Sequence, residues 1–146
     1  MIETVRHEGE LLAIIIPGDF RESGVQFFTP PALSQQLAFM SHPAGKLIAP
    51  HVHNPVQREV QFTHEVLVIR RGILRVDFYD AEQAYLHSRL LHGGDVILLA
   101  AGGHGFEVVE DVEMIEVKQG PFAGEQDKTR FAGVPDAQIR VLEGNA

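Results

Sequence analysis

The chain has 146 residues, of which 45% are hydrophobic and 22% are charged. This composition is typical of one globular domain and excludes a disordered chain, a coiled coil and a collagen-like repeat. The 12 basic and 20 acidic residues give a formal net charge of −8, which disfavours nucleic acid as a partner because its phosphate backbone is also negative. Cysteine is absent, so disulfides, thiol catalysis and thiolate metal sites are excluded.

The first apolar run of the chain, residues 11–16, ends at Pro17. A membrane span needs about 20 apolar residues, and a secretory signal needs a longer run after a basic start. We therefore expect a cytoplasmic protein with no membrane partner. The residues before this run, up to about position 10, are expected to be loosely held, as chain termini often are.

Short apolar runs between turns that contain Gly or Pro predict an all-β chain. The predicted strands are, in chain order, 11–16, 35–40, 47–52, 56–62, 65–70, 73–79, 85–91, 96–99, 106–109 and 114–118. Arg71-Gly72 separates two of them, and we predict a tight hairpin there because Gly readily adopts the positive φ that such turns need. Many short strands with regular turns favour a β-sandwich or a β-barrel.

The character of the chain changes after Gln119, where it becomes polar and contains the charged run 125–128. Residues 119–146 are predicted to form a tail that wraps the body of the protein or reaches a partner subunit. Within this tail, residues 139–142 are predicted to form a last edge strand.

Two histidines, His51 and His53, lie two positions apart at the end of the predicted strand 47–52. Side chains at positions i and i+2 of a strand share one face, so the two imidazoles could hold one metal ion. His104 follows the glycine turn 101–103, and from there it can reach a neighbouring strand. The alternative interpretation is that these are surface or hydrogen-bonded histidines without a ligand.

These residues resemble the two sequence motifs of the cupins. The first motif is matched by Gly45, His51, His53, Glu65 and Gly72, and the second runs from Gly94 to His104. The resemblance implies a jelly-roll β-barrel, and frequently a homodimer. It implies a single cupin domain over 1–146, with the motifs at about 45–104, N-terminal strands within 10–44 and the tail at 119–146.

The resemblance also implies a metal centre in the mouth of the barrel. It would hold one divalent transition metal, Mn, Fe, Ni, Co or Zn, through His51, His53, Glu65 and His104. Eleven residues separate His53 from Glu65, whereas the family leaves three or four, so Gln57 is an alternative ligand. We prefer Glu65 because it keeps the family's spacing to Gly72. A further alternative is that Glu65 forms a plain ion pair with Arg75.

A metal-dependent enzyme acting on an oxygen-rich small molecule is the function that the resemblance implies. The substrate would be a sugar, a keto acid or a diol, and the chemistry would be of the isomerase or oxygenase type. The segment 117–131 resembles that of small cupins found beside polysaccharide-biosynthesis proteins, which favours a sugar.

Two alternatives stay open. One is a metal-free epimerase or isomerase of nucleotide-linked sugars that uses a His base and a Tyr acid. Tyr79, together with His51 or His53, is the candidate for these roles. The other is a non-catalytic module that binds a small ligand or a metal.

Overall fold

The computed structural model describes residues 1–144, so the last two positions of the predicted tail lie outside the described residues. The all-β prediction is confirmed, since 44% of the residues lie in strands and the described residues contain no α-helix. The elements are β1 (Glu3–His7), β2 (Glu10–Ile16), β3 (Gly24–Phe27), β4 (Ala38–Ser41), β5 (Glu65–Tyr79), β6 (Tyr85–His92), β7 (Val96–Leu99), β8 (Gly103–Lys118) and two short 3-10 helices, Gly124–Asp127 and Asp136–Gln138.

The chain divides into two compact units. Unit 1 comprises Met1–Phe20 and Phe62–Ala146, and unit 2 comprises Arg21–Gln61. The single-domain assignment over 1–146 stays a prediction. No helix among residues 1–144 is long and apolar enough to cross a membrane.

Unit 1 is built on one strongly curled, six-stranded antiparallel sheet. The strand order is β1-β2-β7-β5-β6, and β8 pairs with the other edge of β5. The first residues of β5, Glu65 to Val68, pair with β7, and its second half pairs with β6. The strand β8 follows β5 along its whole length, from Glu65↔Lys118 to Tyr79↔Gly103.

The predicted hairpin at Arg71-Gly72 is wrong, because the two strands predicted on either side of it are halves of the single strand β5. Gly72 does have a positive φ of 88°, but it bends the strand rather than reversing it. Three register shifts between β5 and β8 occur from Ile69 to Leu74, and such irregularities increase local bending and twist. The bend explains how a 15-residue strand can curl within a small unit.

The core of unit 1 lies between the curled strands. Its members are the buried apolar side chains Val5, Leu12, Ala13, Ile15, Leu67, Ile69, Leu74, Val76, Phe78, Leu91, Ile97 and Leu99. The strand β2 is buried along five consecutive residues from Leu12 to Ile16, which explains why its sequence is a continuous apolar run rather than an alternating one.

The expectation of a loosely held N-terminus is wrong. Residues 3–7 form β1, which pairs with β2. Val5 belongs to the core, and Glu3 forms an ion pair with Arg89 at 3.1 Å. Burial of one apolar side chain and pairing of the backbone therefore hold this end of the chain.

Unit 2 contains the hairpin of β3 and β4, which pair antiparallel from Gly24↔Ser41 to Phe27↔Ala38. The predicted strands 47–52 and 56–62 are wrong, since neither segment lies in a strand. Apolar side chains in both segments are exposed, including Leu47 at 88% and Val52 at 84%. A short apolar or alternating sequence alone does not make a strand when no neighbouring strand pairs with its backbone.

The tail wraps unit 1, as predicted for the described residues. Phe131 packs edge-to-face on Tyr79 with ring centroids 5.0 Å apart. The predicted strand 139–142 is reduced to one parallel bridge between Val141 and Ser88. Ser88 N–H donates to the carbonyl of Arg140, and the N–H of Leu142 donates back to Ser88. The alternative role of the tail, contact with a partner subunit, stays a prediction.

Candidate functional site

Glu65 and His104 are brought together in unit 1. Glu65 is the first residue of β5, and His104 is the second residue of β8, directly after the glycine turn. The Nε2 atom of His104 lies 3.1 Å from Oε2 of Glu65. The alternative interpretation, an ion pair of Glu65 with Arg75, is wrong, because Arg75 instead pairs with Asp77 at 2.8 Å and with Glu107.

Lys118 is a third member of this cluster. It is the direct partner of Glu65 across the β5–β8 ladder, and its Nζ lies 3.1 Å from Oε1 of Glu65. The side chain of Glu65 is only 7% exposed, whereas those of His104 and Lys118 are 28% and 29% exposed. A buried carboxylate thus faces two partly exposed basic groups, one on each oxygen.

The two basic groups keep the Glu65 carboxylate ionised. Its pKa is lowered to about 2, first by the hydrogen bond from His104 and then by the hydrogen bond and charge of Lys118, although burial acts in the opposite direction. The same contact raises the pKa of Lys118. An ionised, buried carboxylate is an acceptor that can bind a cation or orient an imidazole.

The turn before His104 requires its glycines. Gly102 has a φ of 69°, and a Cβ there would lie 2.5 Å from the carbonyl oxygen of Tyr79. A Cβ on Gly103 would lie 3.0 Å from the ring of Phe131. A side chain at Gly102 would therefore clash with the backbone of Tyr79, whereas one at Gly103 would require the ring of Phe131 to move slightly. The two glycines let the turn pass close to Tyr79 and deliver His104 to Glu65.

His51 and His53 lie in unit 2, outside any strand and exposed. The face-sharing argument based on a strand therefore does not apply, yet the two rings are neighbours with centroids 5.3 Å apart. Nδ1–H of His51 donates to the carbonyl of Ala49 at 2.9 Å, so the lone pair of a neutral His51 is on Nε2. Gln57, the alternative ligand, is also exposed and outside the strands.

Tyr79, the candidate acid, is buried. Its hydroxyl accepts a hydrogen bond from Val134 N–H at 3.1 Å. Its ring packs edge-to-face on Tyr85 and Phe131. Through Val134 and Phe131, these contacts anchor the tail to Tyr79. The catalytic role of Tyr79 stays a prediction.

Lys118 is the member of the cluster that sequence reasoning missed. The predicted strand 114–118 ended on it, but the pairing of this strand with the start of β5 was not predicted. The cross-strand register Glu65↔Lys118 is the signal that would have found it, since opposite charges often face each other across a ladder.

Comparisons of this chain with family models, with curated proteins and with solved structures find no match. Among residues 1–144, no group of three or more His, Cys, Asp or Glu side chains is arranged to hold a metal ion. The four-residue metal centre therefore stays a prediction of the sequence, and Glu65 with His104 is the part of it for which unit 1 provides a geometry.

Proposed function

We propose that this chain is a cupin-type jelly-roll protein and a metal-dependent enzyme that acts on an oxygen-rich small molecule. The curled antiparallel sheet of unit 1 supports the barrel. The contact between Glu65 and His104 supports the metal centre, and it is the single observation that carries the proposal.

The pair has the chemistry and the spacing of two ligands on one ion. Carboxylate oxygen and imidazole nitrogen suit Mn, Fe, Ni, Co and Zn. Two ligands bonded at about 2.1 Å lie about 3.0 Å apart at a right angle and about 3.4 Å apart at the tetrahedral angle. The observed separation of 3.1 Å falls within these limits, although a direct hydrogen bond gives the same distance.

A divalent ion at this place would polarise the oxygens of a bound hydroxyl, carbonyl or diol group. The residues of the chain prepare the site for it. Glu65 is ionised over the whole physiological pH range, so its carboxylate has no proton to lose before a cation binds, whereas His104 has to give up the Nε2 proton that it donates to Glu65. Lys118 holds the second carboxylate oxygen and thereby fixes the orientation of the first toward His104. It is a positioning residue in this proposal.

The test is metal content per chain, measured by elemental analysis on untagged protein. We expect a near-stoichiometric divalent metal in the wild type, and its loss in His104→Ala and in Glu65→Gln. His42→Ala is the matched control, because His42 is exposed and outside the cluster. A double variant, His51→Ala with His53→Ala, tests the other two ligands that the sequence predicts.

Absence of metal, even after reconstitution with each of the five candidate ions, would overturn the proposal. Equal metal content in His104→Ala and His42→Ala would overturn it as well. A metal-loaded protein that leaves every sugar, keto acid and diol unchanged would instead favour the non-catalytic binding module.

A further inference from the structure

A cavity of about 410 Å³ lies in unit 1 beside His104. This volume is within the range of small-molecule sites. The apolar part of its wall includes Phe62, Leu99, Ala100 and Phe131. The glycine turn 102–103 forms another part of the wall and brings the backbone close to the space.

The polar part of the wall is neutral or acidic. It consists of Thr63, Thr129, Gln83, Glu10 and Asp80, together with His104. None of the described lining residues is a Lys or an Arg. The cation of the nearby cluster, Lys118, is not among the lining residues and is bound to Glu65.

Asp80 is fixed where it lies. One of its carboxylate oxygens accepts hydrogen bonds from the N–H groups of Glu82 and Ala84. His7 lies 4.0 Å from the other oxygen, beyond the length of a good hydrogen bond. The same turn holds Gln83 at a φ of 70°, a conformation that non-glycine residues rarely adopt. A strained, hydrogen-bonded turn thus places Asp80 and Gln83 in the wall of the cavity.

We propose that this cavity binds the substrate of the enzyme and that the substrate is a neutral, polyhydroxylated molecule, such as a free monosaccharide or polyol. This inference rests on the proposed function. Glu10 and Asp80, with no Lys or Arg in the wall, repel a phosphate or carboxylate group on the part of the substrate that lies away from the metal, which disfavours sugar phosphates and nucleotide-linked sugars. A divalent ion at His104 would attract an anionic group bound directly to it, so the test compares neutral and charged compounds with and without metal. Aromatic and aliphatic walls suit the C–H faces of a sugar ring, and the amide and the carboxylates suit its hydroxyl groups.

The test is a titration of isotope-labelled protein followed by amide NMR shifts, with a panel of neutral hexoses and polyols. Each neutral compound is paired with its phosphate ester and its sugar acid. We expect at least one neutral compound to shift the amides of Gly102, Gly103 and Thr129. The affinity of the charged partners should be at least about tenfold lower, as expected for one unfavourable charge contact.

Variants locate the binding site. Phe131→Leu and Thr129→Val should each weaken binding of the neutral compound, whereas Phe122→Leu should not, because Phe122 is 95% exposed and does not line the cavity. Asp80→Asn should reduce the discrimination against the phosphate ester. Retention of the full discrimination in this variant would overturn the argument from charge.

The proposal is overturned if no neutral compound shifts the cavity amides at millimolar concentration, or if the charged partners bind equally well. The titration is made on chelator-treated and metal-loaded protein, with the metal content measured separately. Normal metal content without sugar binding refutes the substrate class alone. Sugar binding in a protein that takes up no metal refutes the metal-dependent function alone.

Discussion

The Glu65 cluster predicts a specific dependence of stability on pH. The pKa of Glu65 is about 2 in the folded chain, compared with an ordinary value of 4.5. At about 1.4 kcal/mol for each pH unit, this difference corresponds to about 3 kcal/mol of folding free energy. Because the folded-state pKa is the lower one, the contribution is complete above pH 4.5 and is lost as the pH falls toward 2. Glu65→Gln should remove it.

The measurement is urea denaturation of chelator-treated protein at several pH values between 2 and 6.5. The unfolding free energy of the wild type should exceed that of Glu65→Gln by about 3 kcal/mol at pH 6, and the two values should converge near pH 2. The control is Glu113→Gln, which removes an ion pair with Arg71 whose side chains are 56% and 67% exposed. It should change the unfolding free energy by about 1 kcal/mol or less. A constant difference between wild type and Glu65→Gln at all pH values would refute the reasoning.

Three further substitutions test the fold by the same denaturation assay. Ser88→Ala removes the fully buried hydroxyl that donates to Asp77 and should lower the unfolding free energy by about 2 kcal/mol; an unchanged value would show that water replaces it. Gly72→Ala places a Cβ 2.0 Å from the carbonyl oxygen of Asp111 at a positive φ and should lower it by about 3 kcal/mol or more. A loss below about 1 kcal/mol would contradict the bend described for β5. Phe78→Ala removes a fully buried ring and should lower the unfolding free energy by about 3–5 kcal/mol. A loss as small as that of a surface substitution would contradict the place of Phe78 in the core.

Local sequence patterns predicted the strands of unit 1 well because burial reinforces them. The prediction for 96–99 coincides with β7, and that for 85–91 differs from β6 by one residue. The continuity of β5 could not be predicted, because a glycine in a strand can mark either a turn or a bend. The continuity of β8 was missed because residues 110–113, between its two predicted parts, include three acidic residues, which are uncommon in strands. Whether Gly72 reverses the chain is decided by β8, which pairs with both halves of β5.

The segments 47–52 and 56–62 are cases in which a local pattern predicted a strand that does not form. The first contains a short apolar run and the second an alternating pattern, but a strand also requires a partner for its backbone groups. The N-terminal strand was missed for a related reason, since only Val5 of its five residues is buried and the pairing with β2 holds the rest.

For the candidate site, the spacing of the motifs indicated Glu65 and His104, and unit 1 places them in contact. Their separation of 39 positions is closed by pairing of β5 with β7 and by the glycine turn. The sequence indicated the turn, whereas the pairing was not predicted. Lys118 was missed because its approach to Glu65 depends on a ladder between residues 53 positions apart. Local patterns do not fix a register over such a distance.

The most direct test of the central claim is a crystal structure with anomalous scattering data collected at the absorption edge of the bound metal. We predict one anomalous peak per chain within bonding distance of both His104 Nε2 and a carboxylate oxygen of Glu65, with no peak at this place in His104→Ala. A peak elsewhere in the chain, or a direct Glu65–His104 hydrogen bond without a peak in crystals soaked with each candidate ion, would contradict the account.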